Sequence, residues 1–243
     1  MVERRLARVL VTRPEPGASR TAALLKQRGF APLVLPLTEI FPVDGFIPDH
    51  PFHAVAVTSA NAARMMESSN IAKLRHAPCY AVGAQTAAAC RDAGFSHVLQ
   101  EGGTADALAD RLIKDMPAGA GILYLCGSPR KPVLETRLRA AQCHVEAVEV
   151  YRTHRLIPAE ACRGRLAETG FDAALLYSAE GARALLALLA DLPAQSFSGA
   201  RFICLSADVA AVLPREWQVF AAIQPVEEEL LAVLQAQFLP ENR

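Results

Sequence analysis

The sequence has no excess of charge of either sign: 25 Lys and Arg residues balance 25 Asp and Glu residues, and like charges form no run. That excludes a general nucleic-acid or anionic-membrane surface, but not a local anion site. Long apolar runs are missing as well, and the longest falls well short of the ~20 residues that span a bilayer. The opening MVERRLARVLVTRP is charged and then strand-like, with no signal-peptide core. The six cysteines (Cys79, Cys90, Cys126, Cys143, Cys162, Cys204) lie far apart, without a C-x-x-C pair or a histidine at ligand spacing. They read as small buried residues of a reducing compartment, so the expected location is cytoplasmic. No G-x-S-x-G, H-E-x-x-H or Walker loop is present, and the histidines are scattered.

What the chain does contain is a repeat. Residues 52–66 read FHAVAVTSANAARMM, and a related stretch starts 119 residues later at Phe171. Phe52/Phe171, Ala54/Ala173, Ser59/Ser178, Ala60/Ala179, Ala63/Ala182 and Arg64/Arg183 are identical pairs. Each copy is an apolar strand-type run, a serine at its end, and an amphipathic helix. A period near half of 243 residues is too long for a solenoid and predicts two similar α/β domains. An apolar content of 52% with 21% charged residues is enough for a packed core in each.

In chain order, residues 8–12 predict a strand, 18–28 a helix stopped by a left-handed Gly29, and 32–37 a second strand. Residues 54–58 form the first repeated strand, with Ser59 or Asn61 capping the helix behind it. Strands are predicted at 79–82, 97–99, 122–125 and 145–151. Helices are predicted at 85–93, from Thr104 to Pro117, and at 129–141. Residues 152–169 read as a charged, looser return. Strands at 173–177, 201–205 and 217–221 follow, with helices behind them and a last helix after 227–229.

The repeated unit is followed both times by another strand–helix unit, whereas the N-terminal β-α-β has its nearest counterpart at 122–151. This order predicts a discontinuous domain of 1–36 with 157–243, and an inserted domain of 44–148. The crossings, 37–43 and 149–156, are expected to pair as a two-stranded ladder.

In parallel α/β sheets, ligands collect beyond the carboxyl ends of the strands. Here those ends carry Thr12-Arg13, Thr58-Ser59-Ala60-Asn61, Gly83 to Thr86, Cys126-Gly127-Ser128, Tyr177-Ser178-Ala179 and Ser206 to Asp208. Small and hydroxylated residues before helices offer backbone N–H groups to an anion. Taken singly, each Ser, Thr or Asn is equally read as a helix cap. Arg13 either binds a carboxylate or anchors its own loop. Tyr151 either packs between crossing strands or has a chemical task.

At these residues the chain resembles the uroporphyrinogen-III synthase family. The matching motifs are V-L-V-T-R-P at 9–14, T-S-A-N-A at 58–62, A-V-G-x-x-T-A at 81–87, V-x-V-Y at 148–151 and Y-S-A at 177–179. The resemblance covers almost the full length. It implies two α/β domains with parallel sheets flanked by helices, joined by a two-stranded linker, with the active-site cleft between them. It also implies a cyclising hydro-lyase that needs neither metal nor organic cofactor. The substrate would be hydroxymethylbilane, a linear tetrapyrrole with eight carboxylates. It would lose water, have its terminal pyrrole inverted through a spiro intermediate, and close to uroporphyrinogen III on the way to haem or sirohaem. Tyr151 is the implied proton donor. Thr12, Arg13, Ser59, Ala60, Asn61, Gly83, Thr86, Gly127, Ser178 and Ala179 are the implied substrate-binding set. The implied protein is a monomer with no nucleic-acid or membrane partner, in transient contact with the preceding bilane-forming enzyme.

Three departures stand out. Cys126 replaces the arginine of the family's L-R-G, Ser206 and Val209 stand where the last unit usually has Gly and Thr, and Gln142 stands where a helix-stopping glycine is usual. Two other readings share the duplicated architecture. One is a non-catalytic two-domain binder of an anionic metabolite. The other is a nucleotide-sugar enzyme, which would favour a glycine-rich phosphate loop that is absent.

Overall fold

The computed structural model describes residues 5–238. The chain opens with β1 (Arg8–Val11), α1 (Gly17–Gln27) and β2 (Ala31–Val34), then runs along β3 (Thr38–Pro42). Next come β4 (Ala54–Val57), α2 (Ala60–Met65), α3 (Ser68–Leu74), β5 (Cys79–Val82), α4 (Gly83–Ala93) and β6 (Val98–Glu101). α5 (Ala105–Asp115), β7 (Gly121–Ser128), α6 (Val133–Ala140) and the long β8 (His144–Arg155) complete the middle of the chain. The last part holds α7 (Glu160–Thr169), β9 (Ala173–Leu176), α8 (Ala179–Ala190), β10 (Arg201–Cys204), α9 (Ala207–Ala210), β11 (Gln218–Ala221) and α10 (Glu227–Phe238).

Two compact units result. Unit 1 takes the chain up to Glu39 and again from His154, and unit 2 spans Ile40–Thr153. Unit 1 holds a five-stranded sheet in the order β11-β10-β9-β1-β2, parallel throughout. Unit 2 is built on a six-stranded sheet in the order β3-β8-β7-β4-β5-β6. β8, β7, β4, β5 and β6 are parallel neighbours, and the repeated strands β4 and β9 hold matching positions. β3 runs against β8: Val43 N–H donates to the Val150 carbonyl at 3.0 Å and Leu156 N–H to that of Leu37 at 2.9 Å.

Both faces of each sheet are covered, so the inner strands lose alternation and become apolar throughout. β4 and β9 are buried along their whole length. In unit 1, Leu10, Leu176, Phe202, Leu185 and Leu189 pack on one face, and Val9, Val11, Leu25, Leu230 and Leu234 on the other. In unit 2, Val55, Val57, Ala63, Cys90 and Leu123 share one face, and Leu108, Leu112, Tyr124, Leu134 and Leu138 the other. α5 shows the local logic. Thr104 accepts the Ala107 N–H at 3.2 Å, Leu108, Ala109 and Leu112 are buried, and Arg111 pairs with Asp115 on the outer face at 2.6 Å.

Three local readings change. α3 forms between the expected helix and strand of the first repeat, and α7 forms within the stretch read as loose. β8 is one continuous strand of 12 residues rather than a strand followed by a separate crossing.

Candidate functional site

Because the sheets are parallel, each unit gathers its strand carboxyl ends and the following helix N-termini on one rim. In unit 2, Ser59 ends β4 and caps α2, its Oγ accepting the Asn61 N–H at 3.2 Å. A serine that accepts a backbone N–H still has its own hydroxyl hydrogen to give. Ala60 and Asn61 form the first turn of α2, half-buried. The half-buried Tyr151 phenol lies near enough to Ser59 to feel its hydroxyl. Burial pushes the Tyr151 pKa up and outweighs the lowering by Ser59.

Gly127 faces Tyr151 in the β7–β8 register, directly after a bulge at Cys126/Gly127. A Cβ on Gly127 would overlap the Tyr151 ring. The phenol therefore lies over the strand where only glycine leaves room. Gly83, with φ +74°, begins α4, and Val82 before it supplies no side-chain cap. The first N–H groups of α4 thus have no side-chain acceptor of that kind. Thr86 is buried in the first turn of α4. Unit 2 accordingly brings Gly127 and Tyr151 into contact with Ser59 nearby, and α2 packs on α4.

Sequence reasoning missed a charged cluster beside this rim. Arg130, in the loop after β7, binds Glu135 at 2.8 Å and Glu149 at 2.9 Å. Burial works against its charge, but the two glutamates and Cys126 outweigh that and hold its pKa above the ordinary value. Glu135 is 4% exposed, and its Oε2 has no partner among the described residues. The only sequence signal was an acidic residue in the first turn of α6. Cys126 is buried, with a thiol pKa pushed up to about 12, so it is a packing residue and no arginine surrogate.

In unit 1, Thr12 is buried and its hydroxyl donates to the Leu175 carbonyl at 3.3 Å. Arg13 already holds a carboxylate of the protein itself: Nη1 reaches Glu227 Oε1 at 2.9 Å. Its guanidinium lies 4.0 Å over the Tyr177 ring, in space that a Cβ on Gly17 would invade. Glu227 Oε1 also accepts the hydroxyls of Thr21 and Tyr177, each at 2.6 Å. Burial alone would raise the Glu227 pKa, yet these hydroxyls and the Arg13 and Arg20 charges hold it below the ordinary carboxylate value. Burial, then the bond to Glu227, drives the Tyr177 pKa well up. Exposed Ser178 caps α8 by accepting the Gly181 N–H at 3.0 Å, with Ala179 first in the helix.

Among the described residues, no group of three or more His, Cys, Asp or Glu side chains could hold a metal ion. Two α/β units of matching strand order, each with hydroxyl and backbone donors on its carboxyl rim, define a duplicated α/β architecture. Within that class the chain is placed by its sequence. The model of the uroporphyrinogen-III synthase HemD family matches residues 19–232, and the chain belongs to that family, whose members are cyclising lyases of tetrapyrrole biosynthesis. The fold is similar to the crystal structure of uroporphyrinogen-III synthetase from Helicobacter pylori, with TM-score 0.69 and 17% identity over 96% of this chain and 100% of that one. It is also similar to a mutant uroporphyrinogen III synthase from the extremely thermophilic bacterium Thermus thermophilus, with TM-score 0.57 and 20% identity over 94% of this chain and 96% of that one. No curated protein matches the chain in sequence.

Proposed function

We propose that the chain converts hydroxymethylbilane to uroporphyrinogen III, with Tyr151 as proton donor to the departing hydroxyl. The observation that carries this reading is the family match over residues 19–232. The terminal C–O bond breaks, the oxygen leaves as water with the Tyr151 proton, and the electron-poor carbon is attacked by the substituted carbon of the last pyrrole. The spiro intermediate then opens by breaking the last pyrrole's former bridging bond, that pyrrole's free α-carbon closes the ring, and the proton it loses restores the Tyr151 phenol. The raised pKa keeps the phenol protonated at neutral pH, so the proton is present, but it also makes the group a weaker acid, and positioning must do the rest.

The rest of the task is positioning. A flexible octa-anion closes without inversion when left alone, so the protein must hold the folded geometry in which inversion wins. Positioning of that kind supplies several kcal/mol without a strong acid or base (about 7–11 in the best intramolecular cases). We assign carboxylate binding to the hydroxyls of Ser59 and Ser178, to the backbone N–H groups around Ala60, Gly83, Thr86 and Ala179, and to the side-chain amide of Asn61. Gly127 gives Tyr151 its seat. The Thr12 hydroxyl and Arg13 Nη1 are engaged internally, so we assign Thr12 to the support of the rim and the remaining guanidinium N–H groups of Arg13 to a share in carboxylate binding.

A binding-only role is not favoured for a member of an enzyme family. We further propose a cytoplasmic monomer that receives its unstable substrate by transient contact with the bilane-forming enzyme. The six cysteines are all free, five of them buried, and no helix among the described residues is long and apolar enough to cross a membrane. The test is to supply fresh hydroxymethylbilane, oxidise the products and separate the uroporphyrin isomers. Predominantly type III supports the proposal, and type I alone at the protein-free rate overturns it.

A further inference from the structure

The opposite, N-terminal edge of the unit 1 sheet carries two concavities that the proposed reaction does not use. One, of about 480 Å³, lies where the chain enters β10 and β11 and is lined by Phe197, Phe202, Trp217 and Glu216. Trp217 stacks on Phe202 with centroids 4.5 Å apart, and Phe197 leans against it at 5.8 Å. The other, of about 240 Å³, lies at the starts of β1, β9 and β10 and includes Arg5, Asp172 and Arg201. Ser198, Gly199 and Ala200 line both, so the two meet around one turn. Gly199 has φ +76° and open space where a Cβ would stand.

The charges on the two sides differ. Asp172 is neutralised by Arg5 at 2.6 Å and by the backbone N–H of Arg8 at 2.6 Å. Arg201 forms no ion pair among the described residues, and its guanidinium lies 4.4 Å over the Phe238 ring. The larger concavity offers aromatic faces and the single carboxylate of Glu216, which repels an anion there. Arg201 and Phe202 are consecutive in β10, so their side chains project to opposite faces of the sheet. A ligand using both must therefore carry its ring and its anion on a spacer that turns the edge.

We propose that this edge is a second ligand site for an aromatic ring joined by a flexible spacer to a terminal anion, the chemistry of a nucleoside monophosphate. The ring packs against Trp217 and Phe197, the spacer crosses Gly199, and the phosphate meets Arg201. The larger concavity falls within the roughly 300–1,000 Å³ of ordinary ligand sites. A tetrapyrrole with carboxylates all round its rim is a poor fit, because some would meet Glu216.

Trp217 is the only tryptophan in the chain, so its fluorescence reports on this edge alone. The full chain is titrated with AMP, adenosine and inorganic phosphate. AMP should give a saturable change and bind about tenfold or more tighter than adenosine, with phosphate alone giving none. Arg201→Gln should reduce AMP binding to the adenosine level, whereas Arg201→Lys, which keeps the charge, should retain most of the preference. Both variants should turn over hydroxymethylbilane like the parent protein. No saturable response, equal binding of AMP and adenosine, or equal losses in the Gln and Lys variants would overturn the proposal.

Discussion

The Tyr151 ring lies across the Cα of Gly127, its partner in the β7–β8 register, so closely that no side chain fits beneath it. Gly127→Ala must push the ring off the strand. The expected cost is about 1–3 kcal/mol of stability, the usual price of overpacking, read from denaturant midpoints. It should also lower kcat. Combined with Tyr151→Phe, the second substitution should add little to the kcat loss of the first, because both act on the phenol. Fully additive losses would separate Gly127 from the phenol's task.

Tyr151→Phe keeps the ring and removes the proton. If the phenol is the acid, kcat falls about 10²-fold or more while KM hardly moves. Burial raises the Tyr151 pKa above the ordinary 10.0, so an alkaline limb governed by this phenol should lie above that pH in the parent protein and vanish in the variant. Full turnover by the variant would leave Tyr151 a packing residue.

Ser59 and Ser178 each cap a helix, and each has a hydroxyl hydrogen left to donate. Alanine at either position should cost about 1 kcal/mol in stability through the lost cap. Aspartate restores the cap but brings a negative charge to a site proposed to hold carboxylates. Ser178→Asp should therefore unfold like the parent protein yet raise KM for hydroxymethylbilane. Parent-like KM in that variant would reduce Ser178 to a cap.

Glu227→Gln tests the knot of Arg13, Thr21 and Tyr177. The folded pKa of Glu227 lies below its ordinary 4.5, so its charge stabilises the fold fully above that pH. This contribution is lost as pH falls from 4.5 through the folded value. The parent protein should be more stable than the variant by about 1–3 kcal/mol at neutral pH, with the gap closing in acid. Thermal midpoints of both proteins across pH measure it. A gap that widened in acid would contradict the assignment.

Gln142 ends α6 with φ +63°, a left-handed conformation that costs a side chain about 1–2 kcal/mol. Gln142→Gly should raise stability by roughly 0.5–1 kcal/mol, since glycine's greater freedom when unfolded offsets part of the relief. Differential unfolding in urea would show it.

The fold class was readable because buried parallel strands leave plain apolar runs, and because Ser59 and Ser178 mark the same capped helix start in both repeats. The left-handed stop at Gly29 was readable too, with φ of +79°. α7 was not, because it buries only Leu166 and so has no apolar stripe. At the rim, Arg13 could be read two ways, since sequence cannot show that a glutamate more than 200 residues away supplies its carboxylate. The Arg130 cluster was harder to read: Glu135, five residues on, passed as an acidic residue in the first turn of α6, and nothing marked Glu149 on β8 as meeting the same arginine.

The two sheets share a strand order, but the chain enters them at different points, and this sets a timetable for synthesis. Every strand of the unit 2 sheet has been made once Arg155 is added, so that sheet can close while the rest of the chain is still being translated. β1, the first strand made, finds its inner neighbour β9 only after Leu176 has emerged. Until then the apolar strand Arg8–Val11 waits with one side open, and a chain truncated before β9 should keep a closed second sheet while leaving its own first strand a target for chaperones.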